Sequence, residues 1–64
     1  MSDDLVKWAE KVVDWAATSA ERCEREATST RFETMRDAYS SDAKNLRAIE
    51  REGRAAIAKV KKED

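Results

Sequence analysis

Proline is absent from this sequence of 64 residues, and Gly53 is its only glycine. Hairpin turns between strands draw heavily on glycine, asparagine and proline, and strands read as short alternating apolar runs between such turns. Neither pattern occurs here. Apolar residues recur at helical spacing instead, so the chain is expected to be all-α. What remains to be read is how many helices it forms and what covers them.

The first segment opens on Ser2, Asp3 and Asp4, which suit an N-cap and place negative charge at a helix start. From there Leu5, Ala9, Val12, Ala16, Ala20, Cys23 and Ala27 follow one another at intervals of three and four, one stripe of a helix. Val6 and Val13 widen that stripe on one side, and Trp8 and Trp15 on the other. At 100° per residue the apolar arc over residues 5–17 spans roughly 200°, more than a helix with a single neighbour needs. The wide end is expected to touch more than one partner helix.

A break is expected at Thr28-Ser29-Thr30, with Thr30-Arg31-Phe32-Glu33 matching a capping box. The second segment then carries Phe32, Met35, Tyr39, Asp42, Leu46, Ile49, Gly53, Ala56 and Val60 in a 3,4 alternation, with Ile57 flanking its end. Asp42 and Gly53 interrupt the apolar rule. Tyr39-Ser40-Ser41-Asp42 leaves open a second break and a third helix. Gly53 on the stripe reads as a place where another helix crosses too closely for a β-carbon. Lys59, Lys61 and Lys62 close the segment at the negative end of the helix dipole. The reading is a helix over about 3–27, a turn over about 28–30 and a helix over about 31–61, forming an αα-hairpin.

Such a hairpin has little with which to hold itself together. Alanine supplies 11 of the 26 apolar residues, and small domains usually need a staple. Cys23 is the sole cysteine and histidine is missing, so neither an intrachain disulfide nor a Cys/His zinc site is available. Partner subunits remain. The chain is therefore expected to form a homo-oligomer, a dimeric four-helix bundle being the simplest case. The expected interface residues are Leu5, Trp8, Val12, Trp15, Phe32, Met35, Tyr39, Leu46, Ile49, Gly53, Ile57 and Val60.

Charged residues make up 42% of the chain, yet the net charge is only −1. Residues 1–26 carry −3 and residues 27–64 carry +2. That balance gives no global drive toward nucleic acid or a membrane surface. No apolar run nears the roughly 20 residues of a membrane span, no secretory leader follows Met1, and a lone thiol fits a reducing compartment. The cytoplasm is the expected location.

Chemistry is poorly provided for. Without histidine the usual general base is missing, and Cys23 has nothing to activate it. One glycine cannot build a phosphate-cradling loop. Glu10 with Asp14, and Glu33 with Asp37, lie one turn apart but lack the Glu-x-x-His of di-metal bundles. The sequence predicts no catalytic residues, no metal site and no cofactor. One exposed row stands out, Lys44, Arg47, Arg51 and Arg54, about 150° from the stripe at 100° per residue and so expected to face outward. It is a candidate surface for an anion or an acidic partner.

Together these features predict a small non-enzymatic binding protein, an oligomeric inhibitor or adaptor of the kind found among phage and mobile-element accessory proteins. An oligomer that binds a phosphorylated small molecule through Arg22, Arg25, Arg31 or Arg36 is a second expectation, since arginine suits phosphate. A nucleic-acid-binding regulator is a third, disfavoured by the acidic balance.

Overall fold

The computed structural model describes residues 3–63, which form two α-helices: α1 over Asp3–Ser29 and α2 over Glu33–Glu63. They pack side by side as an antiparallel hairpin 48 Å long, 15 Å wide and 11 Å thick. At 1.5 Å per residue, the 31 residues of α2 account for nearly the whole length. Helix α2 runs through Ser40-Ser41-Asp42 without interruption, so the described chain has two helices.

The break falls at residues 30–32, slightly later than expected. At the end of α1 two hydroxyls bond back to the preceding turn: Thr28 Oγ1 donates to Arg25 O at 2.8 Å and Ser29 Oγ to Glu26 O at 3.4 Å. The Thr30 amide adds one more helical bond, to Glu26 O at 3.0 Å. The expected capping box does not form. The Thr30 hydroxyl accepts from the Phe32 amide at 3.3 Å, and the Phe32 carbonyl accepts the first bond of α2, from the Arg36 amide at 2.9 Å. Phe32 thus occupies the cap position, two residues beyond Thr30. The Arg36 guanidinium donates to Thr30 O at 3.3 Å, placing positive charge where the last turn of α1 has none of its own. No residue of the turn takes a positive φ, which is why it needs no glycine.

The two helices meet along small side chains. Val13, Ala16, Ala20 and Ala27 of α1 and Ala43 of α2 are buried, and no large side chain is fully enclosed. The close approach is sharpest at Gly53, where a β-carbon would lie 2.5 Å from Val13 Cγ2. The glycine therefore marks a helix crossing, as its place on the stripe suggests.

The stripe of α2 is rotated from its expected phase, whereas that of α1 largely holds: Ala9, Val12, Ala16, Ala20, Cys23 and Ala27 are all buried or half-buried. On α2 the half-buried or buried positions are Tyr39, Ala43, Leu46, Arg47, Ala48, Glu50, Gly53, Ile57 and Val60, whereas Asp42, Ile49 and Ala56 are exposed. On α1 Val13 is central, while Leu5 is 54% exposed and Val12 only half-buried. The cause is steric: helices held close enough to pack alanine on alanine leave no room for Leu5 or Ile49 between them, so these turn to one side.

Candidate interaction surface

The seam divides the remaining surface into two flanks of opposite character. On one flank the helices are joined by charge. Arg47 donates through Nη2 to Glu24 Oε1 at 2.8 Å across the helices and through Nη1 to Glu50 Oε1 at 2.8 Å along α2. Arg54 donates to Glu50 Oε2 at 2.9 Å, and Lys61 pairs with Glu10 across the helices at 3.2 Å. The Glu50 side chain, only 16% exposed, holds two guanidinium groups. An open cleft of about 400 Å³ lies beside this row, with Glu10, Asp14, Arg54 and Lys61 among its lining residues.

These contacts set the titration of the network. Hydrogen bonding from Arg47 is the main cause that holds Glu24 below the ordinary value of 4.5. It does the same at Glu50, where Arg54 adds a second donor. Arg47 is held more firmly in its cationic form, chiefly by Glu24 and then by Glu50. A depressed carboxylate pKa contributes stability that is present above the ordinary value and lost as pH falls through the lowered one. Thermal melts followed by circular dichroism should therefore show a midpoint that falls as the pH is lowered below 4.5. In Arg47→Met that decline should be shallower. Parallel declines in the two proteins would mean that the network contributes nothing to the acid response.

The other flank is apolar. Large hydrophobic residues stand well out of the seam: Trp8 is 65% exposed, Trp15 58%, Leu5 54% and Ile49 42%. Helix geometry places them together. At 100° per residue, Leu5, Trp8, Val12 and Trp15 lie on the side of α1 away from Glu10 and Glu24, and Ile49 and Ala56 on the side of α2 away from Arg47 and Arg54. Because the ion pairs fix one flank, all six fall on the opposite one. An apolar groove of about 100 Å³ between Val6, Ala9, Ala56, Ile57 and Val60 opens near the free ends of the helices. Met35, 44% exposed, extends the α2 row toward the turn, where Phe32 stands 67% exposed.

The residues expected at an oligomer interface thus divide. Tyr39, Leu46, Gly53, Ile57 and Val60 line the seam within the hairpin, while Leu5, Trp8, Trp15, Phe32, Met35 and Ile49 remain exposed and Val12 lies half-buried between. The basic row also divides. Arg47 and Arg54 are engaged by carboxylates rather than facing freely outward, because the rotated stripe turns them toward α1. Lys44 and Arg51 stay exposed. Arg22, Arg25, Arg31 and Arg36 are all exposed near the turn, where Glu26, Glu33 and Asp37 are interspersed with them. Cys23 is free and half-buried on the alanine stripe.

The sequence stripe missed Glu50, whose charge disguises a position at the seam. Its signal was local: arginines at three residues before and four after, able to neutralise one carboxylate from both sides. Among the described residues no three acidic or sulfur-bearing side chains are grouped to hold a metal ion, and no helix is long and apolar enough to cross a membrane. Comparisons with protein families, curated proteins and solved structures gave no match.

Proposed function

We propose that this chain is a non-enzymatic binding protein that works as an oligomer of α-hairpins and acts through protein–protein contact, as a small inhibitor or adaptor. One observation carries the reading: both tryptophans lie on an exposed flank, while the buried positions among the described residues hold only alanine and valine. Isolated exposed hydrophobics are ordinary on a protein surface, but a contiguous set with two tryptophans is a feature of binding sites. Tryptophan is prominent among interface hot spots because it removes a large area from water at little entropic cost. The opposite flank, closed by ion pairs, contributes solubility and helix alignment.

Native mass spectrometry of the untagged protein, purified gently, tests this. The expected spectrum contains a dimer or higher assembly, alone or with another protein chain. A discrete extra mass of a few hundred daltons per site would instead turn the assignment toward a phosphorylated small molecule. A bare monomer at every concentration would contradict the oligomeric reading.

A further inference from the structure

We propose that the tryptophan flank is covered by a second copy of this chain in one particular order, with α1 of each copy lying on α2 of the other and both turns at the same end. The inference deepens the oligomeric reading above and rests on it.

The area deficit points to a partner of comparable size. The chain exposes 5203 Å², whereas surface–mass scaling for a compact monomer of 7.3 kDa gives about 4,200 Å². Its radius of gyration is 14.6 Å, against about 11 Å for a compact domain of this length. The excess of about 1,000 Å² is close to the roughly 800 Å² that each partner buries in a stable complex of standard size. A second hairpin of equal length covers the flank from end to end.

Two hairpins can meet flank to flank about a two-fold axis in two ways, and neighbouring helices are antiparallel in both. With the axis across the helices, α1 lies on α1 and α2 on α2, and the turns are at opposite ends. With the axis along the helices, α1 lies on α2 of the other copy, and the turns are at the same end. The charges of the ion-paired flank lie away from this contact, so side-chain size decides between the two.

Side-chain size favours the second arrangement. Val13 faces Gly53, and Val6 and Ala9 share a groove with Ala56 and Val60. Trp8 is therefore level with Ala56 and Trp15 with Ile49, each within about half a helical turn. When the turns are at the same end, these heights are preserved between copies. Trp8 of one copy reaches the groove beside Ala56 of the other, a large ring against a small residue, and Trp15 reaches Ile49. The row Met35, Asp42, Ile49 and Ala56, which the hairpin seam leaves outside, then acquires a neighbour.

The test combines size with one distance. Sedimentation equilibrium should give twice the chain mass, and Trp15→Glu should weaken the dimer by at least about 30-fold, the scale of a hot-spot residue. Because that variant could also lose its fold, the second measurement keeps both tryptophans. A spin label at Arg31→Cys, in a Cys23→Ala background, reports the separation of the two turns. Turns at the same end give a distance on the order of 20 Å, set by helices 8–10 Å apart plus the label arms. Turns at opposite ends give a distance approaching the 48 Å length of the hairpin. A dimer with distant labels, or a folded Trp15→Glu variant that dimerises as tightly as the parent, overturns this pairing and leaves the oligomeric reading standing. A monomer at all concentrations overturns both.

Discussion

Replacing Ala20 by aspartate is expected to abolish the hairpin, with loss of most of the helical circular dichroism signal and of any cooperative melting transition. Ala20 has no exposed surface at all. It lies on α1 near the height of Leu46, where the helix axes are drawn together by small side chains. A carboxylate there would have to enter the seam unpaired or force the helices apart. Burying an ion without a partner costs several kcal/mol even after the protein relaxes. The whole stability of a domain of this length is about 3–10 kcal/mol, so a penalty of that size consumes most of it. Ala55→Asp is the matched control. Ala55 is exposed on α2, so the same change in helix propensity occurs there without burial. Its melting midpoint should move by only a few degrees, since the propensity difference is well under 1 kcal/mol. If both variants melt like the parent, the helices are not held at alanine distance and the seam described above is wrong.

The division of labour between seam and flank explains what the sequence could reveal and where it was ambiguous. Helices and a break close to residues 28–32 follow from spacing and from the capping residues, while Tyr39-Ser40-Ser41-Asp42 left a further break open that the unbroken α2 closes. The phase of the second helix does not follow from either. Tyr39, Leu46, Gly53 and Val60 belong to either of two 3,4 alternations. One continues through Asp42, Ile49 and Ala56, and the other through Ala43, Glu50 and Ile57. Each contains one acidic residue, so counting apolar positions cannot choose between them. Distance can: the seam admits Ala43 but not the bulk of Ile49, and Glu50 is tolerated because Arg47 and Arg54 both reach it. The rejected alternation is not a solvated face. It mixes seam positions with the outer row, and so reads as one wide stripe because α2 is apolar on two adjacent sides. The same is true of α1, where Leu5, Trp8 and Trp15 extend the apolar arc beyond what α2 covers. Stripe width thus reported apolar surface that extends beyond the hairpin seam, while stripe phase depended on a helix separation that no single-helix pattern encodes.

That separation is set most tightly by Gly53 and Val13, and the pair should show a reversal of sign. Alanine is the better helix former by about 1 kcal/mol, so Gly53→Ala in an open helix would stabilise it. Here the added β-carbon would fall 2.5 Å from Val13 Cγ2. Valine is held to one preferred rotamer in a helix and cannot easily swing away, so the helices themselves must shift. Overpacking of this kind costs about 1–3 kcal/mol, enough to outweigh the propensity gain. Gly53→Ala should therefore lower the denaturant midpoint in the parent chain. Val13→Ala removes the obstructing methyl and leaves room, at the loss of the buried valine. In that background the same Gly53→Ala change should become stabilising. Subtracting the two effects isolates a coupling of roughly 2 kcal/mol between the positions, the range seen for residues in direct contact. Gly53→Leu, which cannot be accommodated in either background, should behave like Ala20→Asp. If Gly53→Ala raises the midpoint equally in both backgrounds, the helices do not approach at this point. The glycine would then be only a weak spot in α2 rather than the crossing that sets how far Leu5, Ile49 and the tryptophans are turned outward.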